Sequence, residues 1–319
     1  MTRIGIDIGG TFLKAGVVSD DGEVLATASR PTGAGRPADA IIAEIAGVVR
    51  DAADAAGLSM TDVDLVGAGC PGTCNRQTGL VEYANNLDFV NVPLGEKLRE
   101  QLQVPVYVEN DANAAVLGEH IAGAARGADD CVCITLGTGV GGGVMVNGRL
   151  LTGVNCSGGE LGHMVICVDG EPCTCGRNGC WEAYASVSAL IRQTKAAMAD
   201  HPDSEMWRLA PSPDLVDGRT SFDAMRLGDP AATAVVRQYL RYVAAGLTNI
   251  VNIFQPEVLC IGGAISKEGE TLLGPVRELV RQERYSRYAD RQTRLCVAEL
   301  EGRAGMIGAA FLDKQADLF

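Results

Sequence analysis

The chain has 319 residues, 47% of them hydrophobic and 21% charged, with a formal net charge of −13. That length exceeds what one core usually serves, so two domains are expected. The acidity speaks against nucleic acid or an anionic membrane as a partner, and no apolar run approaches the roughly 18 residues needed to cross a bilayer.

The N-terminal stretch "MTRIGIDIGG" lacks the charged-apolar-small order of a signal peptide and reads as a strand. The expected location is therefore cytoplasmic, where the eleven cysteines serve as reduced thiols or metal ligands. From there the chain opens as a meander: "RIGIDI", a Gly-Gly-Thr turn, "FLKAGVVS", a turn at Asp21-Gly22, then "EVLATASR". A helix is predicted over Ala38 to Ala56, with Ile41, Ile45, Val48, Val49 and Ala52 at helical spacing and Gly57 as its stop. A buried-type strand "VDLVGAG", a helix near Pro93–Leu102 and a strand "VPVYVEN" follow.

At Cys131 the opening pattern returns. "CVCITL", a Gly-Thr-Gly turn, "GGGVMV", a tight Asn147-Gly148 turn and a further strand repeat the same order. Such a repeat implies two related α/β domains facing one another across a cleft. Helices are predicted at Trp181–Met198, Ala231–Phe254, Thr271–Gln282 and Gly305–Lys314, with a strand "EVLCIGG" among them. His201–Thr220 reads as loop and carries no chemical signal; His120 and His201 read as surface residues.

"DIGGTFLK" (Asp7–Lys14) and "LGTGVGGG" (Leu136–Gly143) each place glycines and a threonine directly after an apolar strand. Backbone N–H groups in such turns can cradle phosphate oxygens, and the missing Cβ permits close approach. Neither is a Walker A loop. A third glycine pair, Gly262-Gly263, follows "EVLCI". Asp7 ends a buried strand, where an unpaired carboxylate is costly; Mg²⁺ carried by a nucleotide would offset that cost. In "VENDANAAVLG", Asn110 and Asp111 stand where a strand gives way to a helix, the usual place for a ligand. Asp111 there is either a helix N-cap or a working carboxylate.

His163, Cys173, Cys175 and Cys180 form a Cys₃His set, a full tetrahedral complement for Zn²⁺, and closed four-ligand sites are structural. The metal would brace a loop without a core of its own and draw Glu160, His163 and Glu182 together. Its loss is expected to disturb what this loop's own residues bind far more than what the glycine turns hold, because those turns belong to other strands.

"IGIDIGGT", "ENDANAA", "LGTGVGGG", "GGELGH" and "CTCGRNGCWE", in this order, resemble the ROK family of sugar kinases and sugar-responsive repressors, over essentially the whole chain. The resemblance implies an α/β fold of duplicated actin-like ATPase (ribonuclease H-like) domains around a central cleft. The domains would be a small one at residues 1–112, with a C-terminal helix (303–319) packing back on it, and a large one at 113–302 carrying the zinc loop. It implies that Gly9, Gly10, Thr11, Thr138, Gly139 and Gly263 hold ATP, with Asp7 and Lys14 beside them. Asp111 would be the base that takes a proton from a sugar hydroxyl, and Asn110, Glu160, His163 and Glu182 would contact the sugar. The implied activity is ATP-dependent phosphorylation of a hexose 6-hydroxyl, with bacterial glucokinases the nearest pattern and N-acetylmannosamine kinase the alternative. A sugar-sensing regulator would carry a winged-helix domain before the "DIGGT" strand, which here begins at residue 3. A homodimer or homotetramer is implied by resemblance alone.

Overall fold

The computed structural model describes residues 1–315. From the N-terminus run β1 (Arg3–Ile8), β2 (Phe12–Val18), β3 (Val24–Pro31), α1 (Ala38–Ala55) and β4 (Leu65–Cys70). Three short strands follow, β5 (Thr73–Asn75), β6 (Leu80–Ala84) and β7 (Phe89–Val92), then α2 (Leu94–Leu102), β8 (Val106–Asn110) and α3 (Asp111–Ala122). Next come β9 (Cys131–Leu136), β10 (Val140–Val146), β11 (Arg149–Leu150), α4 (Glu182–Ala185), α5 (Val187–Asp200), α6 (Met206–Leu209) and α7 (Thr220–Arg226). The described chain closes with α8 (Pro230–Phe254), β12 (Val258–Gly262), α9 (Glu270–Glu283), β13 (Arg294–Val297) and α10 (Ala304–Ala309).

Two five-stranded sheets carry the fold, ordered β3-β2-β1-β4-β8 and β11-β10-β9-β12-β13. Their pairings match strand for strand. In each, the first two strands are antiparallel (β1/β2, β9/β10), and the fourth lies parallel to the first (β1/β4, β9/β12). The duplication read from the glycine turns is thus a duplication of whole sheets. Asn147 and Gly148 both have positive φ (51° and 71°), the mirror-image turn that an Asn-Gly pair favours between twisted strands.

Alternation along β1 decides what covers the first sheet. Ile4, Ile6 and Ile8 are buried in a core with Ile41, Ile45, Val48 and Val49 of α1. Gly5 and Asp7 point the other way, toward α10. A Cβ on Gly5 would overlap the Met306 carbonyl and one on Gly67 the Ala309 carbonyl, so α10 lies directly on the strands. A second core joins β9, β10 and β12 to α8 and α9. A third fills the space between the sheets, where Ala114, Val116 and Leu117 of α3 and Ile307 and Phe311 meet Cys131, Cys133, Val258 and Cys260.

Several expectations need correction. The single helix over Trp181–Met198 is two, because Ser186 leaves the helical path and caps α5, accepting the Ala189 N–H at 3.0 Å. The 201–220 segment is not bare loop: it contains α6 and packs Met206, Ala210 and Val216 into a small core with Met198 and Ala224. The C-terminal helix is short, α10 followed by a 3₁₀ turn at Leu312–Gln315, and the rest of the 303–319 prediction lies outside the described residues. His201 is exposed, but His120 is half-buried with Nδ1 2.9 Å from the Ala128 carbonyl. Among the described residues no helix is long and apolar enough to cross a membrane.

Candidate active site

At the β8–α3 junction the cap is not Asp111. Asn110 is the N-cap: its Oδ1 accepts the N–H groups of Ala112 at 2.9 Å and Asn113 at 3.1 Å. Its Nδ2 donates to the Gly72 carbonyl at 3.0 Å. Asp111 is therefore released from capping and becomes the first helical residue, its Oδ1 accepting only the N–H of Ala112 at 2.9 Å. Burial pushes its carboxyl above the ordinary carboxylate range, against the opposing pull of that backbone bond. Part of the "VGGGV" run serves this junction rather than a ligand. A Cβ at Gly143 of β10 would overlap the Ala112 carbonyl, so the glycine brings the start of α3 against β10.

The two glycine turns occupy equivalent positions in the two sheets. Gly9, Gly10 and Thr11 link β1 to β2, with Gly9 N–H bonded to the Phe12 carbonyl at 3.0 Å and the Gly9 carbonyl accepting Thr32 Oγ1–H at 2.6 Å. Gly137, Thr138 and Gly139 link β9 to β10, closed by the Gly137 N–H on the Gly139 carbonyl at 3.0 Å. Gly263 has φ 86°, and a Cβ there would overlap Leu136 at the end of β9. The third glycine thus abuts the second turn. Asp7 is less isolated than its sequence implied: Lys14 is its cross-strand partner on β2. Burial, then the charge of Asp111, raise the Asp7 carboxyl to about 6, and Lys14 pulls it down.

The cysteine loop hangs on Trp181, fully buried with its Nε1–H on the Tyr242 carbonyl at 2.8 Å. Donor atoms of His163, Cys173, Cys175 and Cys180 lie within 4.8 Å of one another. Cys173 Sγ is 3.6 Å from His163 Nδ1, and Cys175 Sγ is 3.6 Å from Cys180 Sγ. A tetrahedron with metal–sulfur bonds of about 2.3 Å has edges near 3.8 Å, so these four residues could hold a metal ion.

Glu182 begins α4 right after this cluster. Its Oε2 accepts the N–H of Val140 at 2.9 Å and its Oε1 the hydroxyl of Thr174 at 3.3 Å. A Cβ on Gly139 would lie 2.5 Å from Oε2, so the second turn needs glycine to let the carboxylate in. The expected independence of loop and turn does not hold. Glu160 is open to solvent on one side yet crowded on the other. That crowding raises its carboxyl, His163 lowers it, and the charges of Asp111 and Glu182 raise it further. The charge of Asp111 thus acts on both Asp7 and Glu160.

With this geometry in place, comparison with known proteins is direct. The ROK family model matches residues 3–316. The chain belongs to the ROK family. Among curated proteins in it, a glucokinase of Thermotoga maritima is 38% identical over 98% of this chain and 97% of its own length. A crystal structure of a ROK family glucokinase from Streptomyces griseus, in complex with glucose and AMPPNP, superposes with a TM-score of 0.83 at 37% identity, covering 99% of this chain and 100% of its own. A ROK hexokinase from Thermus thermophilus superposes at 0.82 with 34% identity, covering 99% of each chain. The ROK fold accounts for the paired sheets as the duplicated actin-like arrangement expected above.

Asp7, Asp111, Glu160, His163 and Glu182 are brought into one constellation, with the two glycine turns flanking it. Two residues had escaped notice. Asn86, in the turn between β6 and β7, has its Cβ 3.6 Å from the point a Cβ on Gly10 would occupy; it lies in the stretch "YANNL" (Tyr83–Leu87). Glu109, beneath Asp111, gave no signal beyond a charge at a strand end.

Proposed function

We propose that this ROK chain is an ATP-dependent glucokinase, transferring the γ-phosphoryl group of ATP to the 6-hydroxyl of glucose. The observation that carries the reading is the position of Asp111: a half-buried, uncapped carboxylate in reach of the Asp7 end of the first glycine turn and of the Glu160–His163–Glu182 group.

In this reading Asp111 orients the 6-hydroxyl and takes its proton as the new O–P bond forms and the bond from the γ-phosphorus to the β-bridging oxygen breaks. Glu160 and the free Nε2 of His163 bind sugar hydroxyls, since Nδ1 faces Cys173. Asn110 contributes at most its remaining Nδ2–H, because Oδ1 is taken by the helix cap. Gly9, Gly10, Thr11, Thr138 and Gly139 offer backbone and hydroxyl donors to the triphosphate, Lys14 adds a positive charge, and Gly263 borders the same turn. Four carboxylates in one cleft repel a triphosphate, so a cation belongs with the nucleotide; Mg²⁺, when bound, would neutralise phosphate charge, and in this reading Asp7 would hold it. The thiolate and imidazole donors of Cys173, Cys175, Cys180 and His163 fit Zn²⁺ as a closed, structural ion.

The halves are also proposed to move. Residues 1–112, rejoined by the chain after residue 303, would close as one body on 113–302, with α3 and α10, packed on each other between the sheets, as the hinge region. The function is tested by ADP release across a panel of hexoses. Glucose should give the highest kcat/KM; a preference for N-acetylmannosamine, or no ADP with any sugar, would overturn the reading.

A further inference from the structure

Glu109 has no place in the mechanism above, yet it is 1% exposed and lies directly before Asn110 and Asp111. Its Oε1 accepts the backbone N–H of Asn110 at 2.8 Å and Asn113 Nδ2–H at 3.1 Å. Asn113 is itself 2% exposed, one turn into α3. The other oxygen, Oε2, faces Arg76 Nε at 3.9 Å. Burying a carboxylate is costly, and an apolar residue would fill the space without that cost. Such a residue would leave two donors of the catalytic junction, the Asn110 N–H and the buried Asn113 Nδ2–H, without their acceptor.

We propose that Glu109 is a positioning residue for Asp111, with Arg76 as its counter-charge. One carboxylate oxygen pins the last peptide of β8 and the first turn of α3 together, and those two points fix the segment from which Asp111 projects. The charge of Arg76, 3.9 Å away, faces the other oxygen and so biases which way the carboxylate is set. Arg76 is fixed in turn by donating through Nη2 to the Gln315 carbonyl. Gln315 is 5% exposed. Its side chain accepts the Leu150 N–H and donates to the Gly148 carbonyl, each at 3.1 Å. The support beneath Asp111 therefore runs to the β10–β11 hairpin of the second sheet. Mispositioning a reacting group by about 1 Å can cost 10²-fold in rate, so the effect belongs in kcat.

This proposal rests on reading Asp111 as the base, and the test separates the two. Glu109→Gln keeps shape but must set its amide either against the guanidinium or against the two N–H donors it formerly accepted. Arg76→Met leaves the carboxylate facing no cation. Each single variant should lower kcat about tenfold or more, with KM for glucose and ATP within about threefold. The double variant, Glu109→Gln with Arg76→Met, lets the amide turn its oxygen to Asn110 and Asn113, and should recover most of the loss rather than add to it. Asn113→Ala, a milder change that keeps the carboxylate, should lower kcat less and in the same sense. Thermal unfolding confirms that each variant is folded. Wild-type kcat in Glu109→Gln, a loss confined to KM, or additive losses in the double variant would each overturn the positioning role. If Asp111→Asn turns over normally, it is the assignment of the base that has failed.

Discussion

The carboxylate of Glu182 accepts the backbone N–H of Val140 at 2.9 Å, and this one bond makes the cysteine loop and the second glycine turn a single unit. Glu182 Oε1 is 3.6 Å from Cys173 Sγ and 3.3 Å from Thr174 Oγ1. The residue proposed to meet the sugar is therefore also bonded beside the turn proposed to hold phosphate, with a candidate metal ligand as its neighbour.

Loss of the metal should accordingly reach the nucleotide. Cys175→Ala is expected to abolish zinc binding and to raise KM for ATP as well as for glucose. A hydrogen bond to a charged group contributes about 1.5–3 kcal/mol, so the ATP effect should be roughly tenfold or more. Metal analysis and steady-state kinetics on the same preparation check this. A zinc-free variant with unchanged KM for ATP would mean that the Glu182–Val140 bond does not depend on the metal.

The proposed base gives a cleaner separation. Asp111→Asn keeps the side-chain shape and the Ala112 N–H bond, so glucose affinity should change little. General-base positioning contributes about 10²–10⁴-fold, and kcat should fall by that factor. Near-normal turnover by a folded Asp111→Asn protein would move the base elsewhere.

Much of this arrangement was written locally in the sequence. α1 and α8 each bury one face and β1 is an apolar strand covered on both, so hydrophobic pattern located all three within a residue or two at each end. The Cys₃His set was legible because three of its four ligands lie within eight residues, Cys173 to Cys180. What failed was either short or distant. β5 and β13 span only three and four residues, with polar and apolar positions mixed, and carry too little pattern to see. Ser186 sits in a helical run of apolar residues, and only its cap bond to Ala189 reveals the break. Glu182 and Val140 are 42 positions apart, and no local rule pairs a glutamate with a particular backbone N–H. Nothing in the sequence singles out Glu109; only the fold, by bringing Arg76 and Asn113 to it, gives it partners.

Closure of the halves is accessible in solution. α3 and α10 lie between the sheets, and the glycine turns flank the cleft from opposite sheets, so sugar binding should draw the turns together and reduce the radius of gyration. Small-angle scattering with and without saturating glucose measures it. Superimposable profiles would count against closure.

Asp7 offers a test in which stability and function part company. Burial and the Asp111 charge raise its carboxyl from 3.8 to about 6, with Lys14 only partly opposing them. A carboxyl that holds its proton more tightly in the fold than in the unfolded chain makes the folded state the greater proton binder across that window. Stability therefore falls as pH rises from about 4 to about 6, and the full penalty is present above it. Two units correspond to about 3 kcal/mol, and partial solvent screening reduces the expected effect to about 1–2 kcal/mol. Asp7→Asn carries no such charge. In the absence of ligand it should melt a few degrees above the native protein at pH 7.5 and level with it near pH 3.5, below the unfolded-chain value of 3.8. Mg²⁺ and nucleotide together should reverse the order at pH 7.5, because the native carboxylate then meets a cation that the amide cannot hold as well. Melting curves at the two pH values, with and without Mg²⁺-AMPPNP, decide it: identical ligand-free curves at pH 7.5 would show that Asp7 bears no cost, and equal stabilisation by nucleotide would remove Asp7 from the cation site.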